Sequence, residues 1–224
     1  MKTVFFLCAI CWQISLVGQQ YRLVYEEHEI TDRYQIMSQQ LSGESQSLMY
    51  SLGFAIHEYE LLYTGDKSIY RGTSRVRYPA AFDGERHQVE GGAEFYKDHG
   101  KKITLKWAPL LNEDCLERKI DPLSDYEITD SVKVWQDYII QKAVRTDKPS
   151  TYVWYCPALP LPEGPETMAG FPGLVVEYRN AIRHYQLVSI EEDSSIGANT
   201  VIKPPCEKSV DRETYRAANR GGRQ

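Results

Sequence analysis

The residues of this chain best suited to metal binding or to proton transfer near neutral pH are five histidines, His28, His57, His87, His99 and His184. They are scattered, and none stands in an HxH, HExxH or CxxCH setting that would place two ligands on one face. His57 and His184 fall in stretches that read as strands, where a lone histidine is ordinarily exposed or hydrogen-bonded. The acidic pairs Glu26-Glu27 and Glu191-Glu192 are adjacent, so on strands their carboxylates point to opposite faces and cannot cooperate as acid and base. Ser51-Leu52-Gly53 and Ser195-Ile196-Gly197 do not make the GxSxG elbow of a nucleophilic serine. Gly170-Phe171-Pro172-Gly173 lacks the spacing and the lysine of a phosphate loop, and Pro172 removes an amide donor that a phosphate would need. No catalytic residue, metal ligand or cofactor is therefore assigned, and the chain reads as non-enzymatic.

Cysteine usage and charge narrow the setting. The first eighteen residues, MKTVFFLCAICWQISLVG, carry one positive charge at Lys2, an apolar run and a closing small residue, the layout of a cleavable signal peptide. Gln13 and Ser15 interrupt a run already shorter than the roughly 20 residues of a membrane span, so no transmembrane segment is expected in the mature chain. Residues 19–224 then form a single β-rich domain, and because Lys2 is the only charge removed, the net charge moves from −5 to −6. That acidic balance argues against nucleic acid as a partner. Cys115, Cys156 and Cys206 remain; in an oxidising compartment one pair among them can form a disulfide, and all three pairings are open.

The elements that must position these residues are mostly strands. Tyr21, Leu23 and Tyr25 alternate with Arg22, Val24 and Glu26, as a half-buried strand requires. Residues 54–63, the Thr64-Gly65-Asp66-Lys67 turn and Ile69-Tyr70 give one hairpin; Phe95-Tyr96, the Asp98-His99-Gly100 turn and the Ile103, Leu105, Trp107 alternation give a second. Residues 72–92, with Gly72, Gly84, Gly91 and Gly92, read as a polar loop, and 108–123 as a loop with one helical turn. Strand patterns resume at 126–129 and 132–134 around an Asp130-Ser131 break, then at 138–144, 152–155 and beyond Ile182. After Pro204-Pro205, Ser209 is placed to cap a short C-terminal helix.

One stretch is more specific than the rest. Residues 152–178, YVWYCPALPLPEGPETMAGFPGLVVEY, run from an aromatic strand through a proline-studded loop into an apolar strand, and hold five of the chain's eleven prolines. Proline presets φ and donates no backbone hydrogen bond, so this is one stiff loop path that cannot be a helix. Trp154-Tyr155-Cys156-Pro157-Ala158-Leu159-Pro160, then Gly164-Pro165 and Gly170-Phe171-Pro172-Gly173-Leu174-Val175, resemble the signature of the GLPGLI family, exported proteins of Bacteroidota. Phe171 and Val175 are apolar departures from the naming hexapeptide. Asp66-Lys67-Ser68-Ile69-Tyr70 and residues 138–143 resemble further family segments, although Asp137 stands where the latter has glycine. The resemblance spans roughly residues 55–190 and implies export to the periplasm or cell envelope; the family has no established reaction, so it implies no mechanism.

Roughly eight to eleven strands at hairpin spacing favour an antiparallel sheet, and a sheet of that size curls. The expected fold is mainly β: a strongly curved antiparallel sheet or half-barrel, similar to periplasmic lipoprotein carriers, with a covering loop and a short C-terminal helix. In such a fold Trp107, Trp154 and Val176 would line a concave apolar site for a lipophilic small molecule. The alternative is an accessory protein of an outer-membrane uptake system that docks on another envelope protein through the loop, with Leu159, Leu161 and Phe171 exposed.

Overall fold

The computed structural model describes residues 20–30, 36–37, 39–43, 45–46, 55–77, 92–108, 112–197 and 199–221. The signal peptide, the Ser51-Leu52-Gly53 segment and most of the 72–92 insert, with His87, lie outside the described residues. The strands in chain order are β1 (Tyr21–Glu29), β2 (Ile56–Tyr63), β3 (Lys67–Arg77), β4 (Glu94–Asp98), β5 (Ile103–Ala108), β6 (Asn112–Lys119), β7 (Tyr126–Trp135), β8 (Tyr138–Arg145), β9 (Tyr152–Cys156), β10 (Leu174–Arg179), β11 (Arg183–Glu192) and β12 (Ser209–Val210). They form one sheet in the order β12-β6-β5-β4-β3-β2-β1-β11-β10-β9-β8-β7, antiparallel at every pairing except β12 on β6. β1 is thus the middle of two meanders, one running out to β6 and the other to β7.

That order dictates curvature. β6 and β7 are ten strand positions apart, which in a flat sheet would be about 48 Å at the usual strand spacing. The chain crosses from Lys119 to Tyr126 with six residues between, a span of roughly 25 Å at most. The sheet must therefore curl until its two ends approach, and it stays open there because β6 and β7 do not pair. A short 3-10 turn at Pro122–Ser124 bridges this seam, tied by Ile120 N–H to the Lys102 carbonyl and by Thr146 N–H to the Asp125 carbonyl.

The two faces of the curl carry different packing. Leu23, Leu61, Tyr70 and Phe95 are register partners across β1 to β4 and lie on the inner face. Tyr178, Tyr185 and Val153 extend that apolar lining toward β9, with the Tyr178 and Tyr185 rings stacked at 5.5 Å. On the outside, Leu62, Ile69, Tyr96 and Leu105 are covered by Ile196 and Val201 of the segment after β11. A Cys115–Cys206 disulfide, Cα–Cα 5.5 Å, fastens that segment to β6, and Cys156 remains a buried free thiol.

Three elements differ from the sequence expectation. Gly72 is inside β3 rather than at the start of a loop; it opposes Tyr59, whose ring packs over the missing side chain, beside a bulge between His57 and Tyr59. The segment 112–119, NEDCLERK, is a strand and not a loop, because pairing with β5 on one edge and β12 on the other outweighs its charged composition. Ser209 is in β12, and the C-terminal helix α1 (Arg212–Gly221) is capped instead by Asp211, whose carboxylate accepts from Thr214 N–H at 2.8 Å.

The disulfide closes a 91-residue separation that holds both β7 to β11 and the outer cover. Substituting both cysteines with serine is expected to remove about 2–5 kcal/mol and to expose 196–206 to protease first. Equal melting temperatures with and without reductant would contradict this.

Candidate functional site

The loop between β9 and β10 sits inside the curl. Its path is held by backbone bonds from Leu174 N–H to the Leu159 carbonyl and from Val175 N–H to the Glu163 carbonyl, so the loop folds back along its own following strand. Gly164 is pressed so closely on Met168 and Val175 that a Cβ would stand 2.5 Å from the Met168 carbonyl oxygen. Across the interior, Lys97 of β4 donates to Glu163 Oε2 at 2.8 Å and to the Gly164 carbonyl, while His99 meets Glu163 Oε1. Lys97 and Glu163 are both 0 % exposed, an ion pair sealed between loop and sheet.

Beyond this anchor the loop turns at Glu166, a non-glycine residue with φ +49°. That left-handed backbone costs roughly 1–2 kcal/mol, and its side chain shows what holds it. Tyr185 O–H donates to Glu166 Oε1 at 2.7 Å, and Arg183 lies 3.6 Å away, also reaching buried Glu27 at 3.4 Å. Burial pushes the Glu27 carboxyl up from its usual value, only partly opposed by Arg183.

Glu166 also opens onto a cleft of about 440 Å³ at the seam. Register explains its near wall. Phe95, Lys106 and Leu116 are successive partners across β4, β5 and β6, with Thr104 opposite Arg118 on the adjoining rung, so all five point inward. The far wall is Tyr126 of β7, Arg145 of β8 and Tyr178 of β10; Met168 and Ala169 of the loop form the floor, and Arg212 of α1 closes one side. Lys106 Nζ stands 5.5 Å over the Phe95 ring, and Arg145 pairs with Asp147 at 2.6 Å. Burial, and then the charges of Arg212 and Arg145, pull the Arg118 pKa down, opposed in part by Glu166; burial does the same to Lys106, opposed first by Glu166 and aided by Arg183 and Arg118. The lining includes no His, Cys or Ser, and its polar side chains are Thr104, Thr167 and charged and tyrosyl groups. The arrangement can hold and orient a ligand.

Most residues named from sequence are elsewhere. Trp107 packs against the Leu62 and Cys115 cluster, whereas Trp154 and Val176 belong with Leu161 and Leu174; the three do not share a cavity wall, and none lines the cleft. Of the signature residues, Tyr155, Gly164, Pro165, Phe171, Gly173 and Leu174 are buried, while Pro157, Pro160 and Pro172 are exposed. Leu161 and Phe171 are buried rather than presented to solvent, because the loop faces inward: Phe171 stacks on Tyr155 and meets Tyr126 edge-on. Gly170 abuts Ile120 and Pro122 at the seam. Lys106, the register partner of Phe95, belongs to the inner face. His184 pairs with Glu177 at 3.0 Å beside Lys133, and His28 lies against His184. Among the described residues no group of three His, Cys, Asp or Glu is placed to hold a metal ion, and no helix is long and apolar enough to cross a membrane.

Sequence reasoning passed over the cleft because its residues are scattered from Phe95 to Arg212. A signal was present in the alternation itself: Lys97 shares its face with Phe95, and Lys106 with Thr104, at positions where a covered sheet should carry apolar side chains.

No family model matches the sequence, and no curated protein matches it. Two crystal forms of PNGF-II, in the C2 and P21 space groups, share its fold with TM-scores of 0.56 and 0.55 at 14 % identity over 90 % of this chain. The chain spans about a third of the PNGF-II chain (33 %), and the likeness is one of fold alone.

Proposed function

We propose that this chain is an exported, non-enzymatic protein of the cell envelope, akin to the GLPGLI family, that binds a small molecule at the seam of its curved sheet. The observation that carries this reading is the seam cleft, roomy enough for a small ligand and walled by Phe95, Tyr126 and Tyr178. Export is supported by the layout of residues 1–18 and by the Cys115–Cys206 bridge, which persists in oxidising compartments. The family resemblance rests on the sequence motifs alone; in the structure the hexapeptide carries Gly170 and Gly173, both at positive φ, where the loop re-enters the sheet. The ligand we propose is polar rather than lipid, since the chain's own loop occupies the apolar interior around Leu161 and Val176.

The docking alternative is favoured by a different surface. β7 is an end strand of the sheet, and its hairpin with β8 exposes Val132 (61 %), Val134 (73 %) and Ile139 (67 %). An open strand edge with apolar neighbours is a template for a partner chain. Native mass spectrometry of protein purified from its own host separates the two readings. A small-molecule adduct supports binding; a co-purifying protein that Val134→Asp removes supports docking, and a bare chain sinks the binding reading.

A further inference from the structure

We propose that the seam cleft selects an organic oxyanion, a ring compound bearing a carboxylate or phosphate, with Arg118, Arg212 and Lys106 taking the charge and Phe95, Tyr126 and Tyr178 taking the ring. This rests on the binding reading above and adds the ligand's chemical class.

The charge distribution points to an anion. The whole chain carries a net charge of −5, yet the cleft lining holds five cationic side chains, Lys106, Arg118, Lys119, Arg145 and Arg212, against three acidic ones, Asp121, Asp125 and Glu166. Of those, Arg145 is engaged with Asp147, and Glu166 with Tyr185 and Arg183. Among the described residues Lys106, Arg118, Lys119 and Arg212 form no ion pair with each other's acidic neighbours or with any other carboxylate. Asp121 and Asp125 likewise leave them unpaired; the Asp121 and Asp125 carbonyls, not their carboxylates, make the seam's hydrogen bonds.

Like charges held together with no ion-paired counterion are unfavourable; Glu166 offsets part of that cost from a distance, and the rest is relieved when an anion enters. The depressed pKa of Arg118, caused by burial and then by Arg212 and Arg145, is the same effect seen from one side chain. Guanidinium groups present a planar fork that matches carboxylate or phosphate oxygens, and such charge-assisted bonds are about twice as strong as neutral ones. The aromatic members add a preference beyond charge. Tyr126 and Tyr178 on the far wall and Phe95 on the near wall are largely buried against other rings but give the cleft apolar surface, which suits a ligand with a ring beside its oxyanion.

Glu166 lines the cleft, but its carboxylate bonds Tyr185 and Arg183 and ion-pairs with none of Lys106, Arg118, Lys119 or Arg212, so it offsets only part of their charge.

The test uses the oxidised, full mature chain and isothermal titration calorimetry at low ionic strength, with benzoate, phenyl phosphate, inorganic phosphate and neutral benzyl alcohol as probes. Benzoate or phenyl phosphate is expected to bind saturably at one site, with affinity falling as salt is added. Which of the two binds more tightly identifies the oxyanion. Arg118→Gln and Arg212→Gln should each weaken that binding by about tenfold or more, the size of one lost charge-assisted contact, while their melting temperatures stay near that of the parent. Lys203→Gln, a cation away from the cleft, should bind as the parent does. The proposal is overturned if benzyl alcohol binds as well as its anionic counterparts. It is equally overturned if inorganic phosphate matches phenyl phosphate, if neither anionic ring binds, or if both arginine variants bind unchanged. A native-host adduct that persists in the Arg118→Gln, Arg212→Gln double variant would leave the binding reading standing and remove the oxyanion, which separates the two failures.

Discussion

Gly173→Ala is expected to remove about 4 kcal/mol or more, lowering the melting temperature by at least roughly 10 °C or abolishing the folded state. Two independent reasons combine. Gly173 has φ +147°, a conformation that L side chains rarely adopt. A Cβ there would also stand 2.1 Å from the Cys156 carbonyl oxygen and 2.9 Å from Pro157 Cα, both backbone atoms that cannot move aside without dragging β9. The contact is unavoidable because Leu174 opposes Cys156 in the β9–β10 register, so the loop's two ends meet at this residue. Circular-dichroism melts of Gly173→Ala beside Gly197→Ala give the check. Gly197 has open space around its missing side chain, and its variant should melt with the parent. Equal melting of the two variants would mean that the loop does not close this tightly.

The second large effect belongs to the sealed pair. Glu163→Gln leaves the fully buried Lys97 ammonium with neutral acceptors alone, the new amide oxygen and the Gly164 carbonyl, and a broken buried pair typically costs about 3–5 kcal/mol. Replacing both at once, Lys97→Met with Glu163→Leu, should cost far less than the two single changes together, because no uncompensated charge is left behind. The pair also sets acid sensitivity. Burial pushes the Glu163 carboxyl up, but Lys97 and His99 outweigh it and hold it at about 2 instead of 4.5. Burial pulls the Lys97 ammonium down, and we hold the pair to be ionised because the carboxylate is 2.8 Å away. A carboxyl whose folded pKa is depressed contributes stability that is fully present above about pH 4.5 and lost as pH falls toward 2, here about 3 kcal/mol. The parent's melting temperature should therefore drop steeply across that window and that of Glu163→Gln only shallowly. Parallel curves would show that Glu163 does not carry the acid response.

How far these features could be read from sequence depends on whether they are local. The β2–β3 and β4–β5 hairpins are legible because Thr64-Gly65-Asp66-Lys67 and Asp98-His99-Gly100 punctuate clean period-two alternation, and both turns stand where the alternation places them. A mainly β, curved antiparallel sheet with one short C-terminal helix follows from the same signals, and the structure has it. β6 is hidden because NEDCLERK shows no apolar period; only its neighbours reveal that Cys115 faces out and Leu116 in. The stiffness of the signature loop is legible from its prolines, but its direction is not. Leu161 and Phe171 face the interior through partners distant in sequence: Lys97, more than sixty residues earlier, binds Glu163, and Tyr126 meets Phe171. The cleft is hidden for the same reason, since it exists only once the curl brings β6 against β7.

The place of β1 has a consequence for how the chain is made. β1 pairs with β2 on one edge and β11 on the other, and Tyr25 opposes both Tyr59 and Leu187. The second of those partners lies about 160 residues later. At synthesis rates of about 5–20 residues per second, the first strand to emerge waits on the order of ten seconds or more for its far neighbour. Until then its open edge and the inner faces of β2 to β4 present Leu23, Tyr25, Leu61 and Tyr70 to any other nascent chain. The earliest strand is thus completed only when the last of the long strands has been made, and the yield of this protein in a cell depends on whatever shields that edge in the interval.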